Sequence, residues 1–191
     1  MSGVHIKFDA AQLQKLLGTR LKNLEYPYYI MQGVALELDA ITQDAFRNHG
    51  DPVGSWPGLR PSTRRAKERR GRSIERILRD SGILATSVQI NYSRTYAEIS
   101  TNMVYAAIHQ FGGDIHRSGV VRLRTRRNGK LYKRGNLATF AKKNHKLAVE
   151  RPVSYTIHIP ARPFFPITDD GDLTQSARRR LISVIDGALT Q

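Results

Sequence analysis

Cysteine is absent from these 191 residues. Disulfides, thiolate zinc sites and a thiol nucleophile are therefore excluded. Long apolar runs are missing too: none approaches the roughly 20 residues that a membrane-spanning helix needs. The opening stretch, residues 1–10, lacks the basic-then-apolar order of a secretory leader. The expectation is a chain made in the cytoplasm. Acidic residues are scarce, 16 Asp and Glu against 31 Lys and Arg, which leaves a net charge of +15. So large an excess points to a polyanion or an acidic protein surface as partner, and sign alone does not choose between them.

What is present suits a folded protein. Apolar residues make up 40% of the chain. That is enough for one domain, residues 1–191, to bury a core without metal or cofactor.

Periodicity gives the elements. Val4, Ile6 and Phe8 alternate with His5 and Lys7, a short strand; Asp9 then reads as the cap of a helix to about Asn23. Met31, Val34, Leu38, Ile41 and Ala45 recur every three or four residues and make the apolar stripe of a long helix from Pro27 to Asn48. Residues 51–63 hold three prolines and two glycines, so a loop is expected there, with Ser62 or Thr63 capping a helix from Arg64 to Gly71. Short helical turns are expected over 74–87, broken at Gly82. Val88, Ile90 and Tyr92, then Thr95, Ala97 and Ile99, read as two antiparallel strands. Residues 103–111 read as a short helix stopped by Gly112-Gly113.

The character changes over 115–150. Val121 and Leu123 alternate with Arg122 and Arg124, Asn128-Gly129 signals a tight turn, and Leu131 and Tyr132 return. This predicts a basic β-hairpin, followed by a short helix within 135–149, inserted between core elements. Twelve Lys and Arg lie between Arg117 and Arg151, with Glu150 the one acid. A strand over Val153–Ile159, an extended run through Pro160, Pro163 and Pro166, and a final helix follow. Thr168, Asp169, Asp170 and Asp172 are expected to open that helix; Leu173, Ala177, Leu181, Val184 and Ala188 are its stripe. The fold class is α+β: a small antiparallel or mixed sheet flanked by a long N-terminal and a C-terminal helix, with the inserted hairpin.

Catalytic patterns are poor. The histidines lack metal-ligand spacing, and there is no Walker-type loop. Glu37 and Asp44 read as solvated. The basic residues are the best candidates for function. One cluster runs from Arg60 through Arg64, Arg65, Lys67, Arg69, Arg70, Arg72 and Arg76 to Arg79. The other includes Arg122, Arg124, Arg126, Arg127, Lys130, Lys133 and Arg134, with Arg122, Arg124 and Arg126 on one hairpin face. Such a finger contacts DNA phosphates, docks on an acidic protein, or is simply a solvated face.

Four runs bring a family into view. They are Trp56-Pro57-Gly58-Leu59 before a basic helix; Ile77-Leu78-Arg79-Asp80-Ser81-Gly82-Ile83-Leu84; Tyr105-Ala106-Ala107-Ile108-His109-Gln110-Phe111-Gly112-Gly113; and Ile159-Pro160-Ala161-Arg162-Pro163-Phe164-Phe165-Pro166-Ile167 before two aspartates. In this order they resemble the phage virion-morphogenesis family, which includes tail-completion proteins. The basic block at 115–150 matches least. The resemblance implies a non-enzymatic virion subunit, a homo-oligomeric ring, with six copies expected, at the head–tail junction or tail end. It needs no cofactor; its partners are neighbouring neck or tail proteins and, in the lumen, packaged DNA. Trp56, Leu59, Arg162, Phe164 and Phe165 are then candidates for the subunit interface. The alternative is a basic nucleic-acid-binding protein acting alone.

Overall fold

A computed structural model describes residues 3–9, 27–50 and 54–189. The helix expected after Asp9 lies outside the described residues. The chain divides into two compact units: residues 1–112 with 160–191, and residues 113–159.

The first unit holds a three-stranded antiparallel sheet, with β1 (Val4–Asp9) and β2 (Val88–Tyr92) on either side of β3 (Tyr96–Thr101). Side chains on a strand alternate between faces, so register decides which of them meet. Ile6, Ile99 and Ile90 align across the three strands, as do Val4, Thr101 and Val88. Ala97, Ile99 and Thr101 of β3 are buried.

Helix α1 (Pro27–Asn48) lies against this sheet and against α5 (Gln175–Leu189). All five residues of its expected stripe are buried, and Ile30, Ala35, Thr42 and Phe46 join them. A Cβ on Gly33 would stand 3.1 Å from Val184 Cγ1, so the two helices approach closely there. Glu37 and Asp44, expected to be solvated, are instead forked by Arg180 of α5; its Nη1 lies 3.0 Å from Asp44 Oδ2 and its Nε bonds Glu37 Oε1.

Two helix starts differ from expectation. Helix α2 runs Pro61–Arg69, with the proline in its first turn and no side-chain cap. Proline suits that position because it has no N–H to leave unpaired. The acids near Asp170 do not open α5. Thr168 N donates to Asp172 O at 2.7 Å and closes a tight loop, and the helix begins after Thr174, whose Oγ1 accepts from Ala177 N at 3.4 Å. The buried row of this segment is Leu173, Ala177, Leu181 and Ile185, while Val184 is half-buried and Ala188 exposed. Two short helices complete the unit, α3 (Ile83–Thr86) and α4 (Ala106–Phe111). At the end of α4, Gly112 has φ +72° and Gly113 φ +150°, a reversal that glycine makes at little steric cost.

The second unit is built on a two-stranded ribbon, β4 (Gly113–Arg124) paired antiparallel with β7 (Ala148–Ile159) over twelve residue pairs. The expected partner of Val121–Arg124 was Leu131–Tyr132. Its actual partner is Ala148–Arg151. The Asn128-Gly129 turn exists, with Gly129 N donating to Arg126 O at 3.0 Å, but it closes only the single bridge Thr125–Leu131. Tyr132 then turns its carbonyl to Thr139, accepting from N at 3.0 Å and Oγ1 at 3.1 Å, which ends the ladder.

The helix expected within 135–149 is absent. A two-residue hairpin, β5 (Lys133–Arg134) with β6 (Leu137–Ala138), takes its place. The following residues lie along β4: Arg124 N donates to Thr139 O and Ala141 N to Arg122 O, both at 2.8 Å. Backbone groups satisfied across strands in this way are not available to a helix.

Candidate functional site

Three of the four motif runs meet in the first unit. Trp56 N donates to His49 O at 2.8 Å, and its indole Nε1 donates to Pro163 O at 2.8 Å. Its ring meets Phe46 edge-on at 5.9 Å, and Phe46 stacks on Phe164 at 5.2 Å. Phe164 and Phe165 are fully buried, with centroids 4.7 Å apart.

Gln110 fastens this aromatic run. Its Oε1 accepts from Phe164 N and Phe165 N, each at 3.0 Å, and its Nε2 donates to Phe165 O at 3.3 Å. Buried amides on an irregular segment need such partners, and one glutamine side chain supplies three bonds here. Gln110 was not among the expected site residues. The readable signal was a polar residue in a short amphipathic helix, placed where the apolar face should be.

Arg162 joins the loop run. Its Nε and Nη2 donate to Pro57 O at 3.1 and 2.9 Å, Nη2 also to Gly58 O at 3.1 Å, and its own N–H to His109 O at 2.7 Å. Burial lowers its pKa from the ordinary arginine value. Beside it, burial first and the Arg162 charge second lower the pKa of His109 below 6.5. His109 Nδ1 has no hydrogen-bond partner.

The residues expected at a subunit interface are thus engaged inside their own chain. Trp56, Arg162, Phe164 and Phe165 are buried, and their polar atoms are met by carbonyls of the same unit. A ring with no exposed surface has none to offer a neighbour. Leu59 alone of the five is half-exposed.

The first basic cluster is mostly exposed, but Lys67 is buried. Its Nζ donates to Ser73 O at 3.1 Å and Arg76 O at 2.7 Å and lies 3.5 Å from Asp80 Oδ1. It closes the turn after α2 and is a structural lysine.

The second cluster lies in the second unit. Arg122 is half-buried: Nη1 donates to Lys143 O at 2.6 Å, and Nε sits 3.4 Å from Glu150 Oε1. That Nε is within ion-pair range but misaligned for a hydrogen bond. Arg122 therefore ties the ribbon together. Arg124 and Arg126 flank the Tyr132 ring, at 4.8 and 5.8 Å from its centroid, an arrangement that orients both cations at an exposed site. Arg127, Lys130, Lys133 and Arg134 are exposed around the turn and the small hairpin.

The histidines have local roles. His158 Nδ1 lies 2.7 Å from Asp114 Oδ1, His116 Nδ1 2.9 Å from Thr156 Oγ1, and His5 Nδ1 2.9 Å from Glu98 Oε1. No group of three or more potential metal ligands occurs among the described residues. No helix among them is long and apolar enough to cross a membrane.

The first unit is a tightly latched α+β fold and the second a strongly basic ribbon. A model of the phage virion morphogenesis family matches residues 8–189. The chain belongs to that family, and with it to proteins of phage structure and assembly. No curated protein and no solved structure is detectably similar to it.

Proposed function

We propose that the chain is a structural subunit of a tailed-phage or prophage particle that completes the tail for head joining. It does so as a homo-oligomeric ring, of six copies, at the head–tail junction or tail end. Its place is the virion, and its neighbours are neck or tail proteins, with packaged DNA in the lumen. Family membership supports the assembly role.

The observation that carries the reading is the second unit. None of residues 113–159 is buried, yet they include twelve Lys and Arg and several exposed apolar side chains. A surface of that kind is suited to contact with another molecule. Closed cyclic symmetry would turn repeated contacts into a pore.

Deleting the gene from an inducible prophage tests this. Heads and tails should accumulate unjoined, visible by electron microscopy, and a plasmid copy should restore joining. Normal infectious yield without the gene would overturn the reading. The twelve cations also favour a second reading, a nucleic-acid binder acting alone. That version predicts DNA binding that weakens steeply with salt, and an unaltered yield of joined particles after deletion.

A further inference from the structure

The register of the ribbon separates two faces. Even-numbered residues pair by polar contacts: Asp114 with His158, His116 with Thr156, and Arg122 with Glu150. Odd-numbered residues give the rows Ile115–Ile157, Arg117–Tyr155, Gly119–Val153, Val121–Arg151 and Leu123–Val149. This face is apolar with two arginines set into it. The bridge from Leu123 to Phe140 extends its last row, so Val149, Leu123 and Phe140 lie side by side. Phe140 is 74% exposed and Tyr155 54%.

We infer that this odd-numbered face is a docking surface for an acidic protein, with Val149, Leu123 and Phe140 meeting an apolar centre and Arg117 and Arg151 meeting carboxylates around it. The inference rests on the assembly reading and names its partner chemistry.

Two observations select that occupant. Contacts to nucleic-acid phosphates use cations and polar donors, and an exposed phenylalanine beside a leucine and a valine contributes nothing to them. Protein interfaces combine an apolar, aromatic centre with arginine and a polar rim, which is the composition here. A second copy of the same face is disfavoured by charge: it would set Arg117 and Arg151 against the same pair, in two ribbon units that each carry twelve Lys and Arg and only the acids Asp114 and Glu150. An acidic partner removes that repulsion.

The test places the photo-reactive residue benzoylphenylalanine at position 140 of the full chain, supplied in trans to a deletion prophage. Particles and assembly intermediates are irradiated, and the adduct is identified by mass spectrometry. The expected result is an adduct to a virion protein at a segment rich in Asp and Glu. In the probe-bearing chain Arg151→Glu should lower the adduct, and without the probe Phe140→Ser and Arg151→Glu should each lower the yield of joined particles, by roughly tenfold, the loss expected for a residue near the centre of an interface. Their thermal unfolding should match the parent chain. An adduct to DNA, an adduct to a second copy, or no adduct at all overturns the inference. If immunoblots detect the chain in particles but position 140 forms no adduct, the docking face fails alone. If the chain is missing from particles and intermediates, the assembly reading fails with it.

Discussion

Residues 113–159 carry twelve of the 31 Lys and Arg, two acids and no buried side chain. The other unit carries nineteen Lys and Arg beside fourteen acids. It holds every buried apolar side chain among the described residues. The comparison separates two ways of using a polypeptide. In the first unit even the polar residues Gln110, Arg162 and Lys67 are turned inward to hold irregular backbone. In the second, arginines are held on the surface by ring faces and cross-strand pairs. Each such pair contributes only about 0.2–1 kcal/mol. A two-stranded ribbon is marginal by itself in water. Stability therefore belongs to the first unit, and the recognition we propose to the second.

The sharpest way to break this division is to cut into the aromatic run. Phe164→Ala removes a fully buried ring that stacks on Phe46, and should cost about 3–5 kcal/mol in urea unfolding. Gln110→Leu comes next. It leaves the buried amides of Phe164 and Phe165 without partners, at about 1–3 kcal/mol for each one that water does not reach, while Phe165 O keeps its bond from Ile167 N. A loss below about 1 kcal/mol from either change would show that the motif residues are not what holds the first unit.

Arg162→Lys should be smaller, about 1–3 kcal/mol, because lysine keeps the charge but cannot spread donors across Pro57 O and Gly58 O as the planar guanidinium does. If the same change instead left unfolding untouched and blocked particle joining, Arg162 would belong to an interface after all. Charge and motif alone did not decide between these roles.

Much of the first unit was legible because its signals are local. Period-two alternation gave β1, β2 and β3, and the spacing of Met31 to Ala45 gave the buried stripe of α1. What was not legible depends on distant residues. Val121–Arg124 looked for its partner just beyond Asn128-Gly129, but the ladder that won comes from Ala148–Arg151, at the far end of the insertion. Thr168 and Thr174 are both plausible caps by type. Only the bond from Thr168 to Asp172 shows which one the helix uses. Trp56, Phe164 and Phe165 were candidates for a subunit interface, yet the carbonyls and rings that enclose them come from residues 46, 110 and 163 of the same chain.

A finer test uses pH. The folded state disfavours charged His109, through burial and then through Arg162, while the unfolded chain titrates near the ordinary 6.5. Below that value the unfolded state binds the extra proton, so stability should fall as the pH drops from 6.5 towards 5. Tyr105 is the other ring against this imidazole, at 6.0 Å. His109→Gln should flatten the decline in thermal midpoint over that window. An unchanged slope would mean that another group carries it.

The smallest expected effect is the most pointed one for the comparison. Phe140 is mostly exposed, so Phe140→Ser removes a ring that folding does not take out of water. Surface changes of this kind stay within about 0.5 kcal/mol. The same ring placed at position 164 is worth several times that, so the pair Phe164→Ala and Phe140→Ser measures the division of labour directly. A cost above about 1 kcal/mol at Phe140 would mean that residues 113–159 pack a core of their own, and that their apolar residues serve folding before they serve a partner.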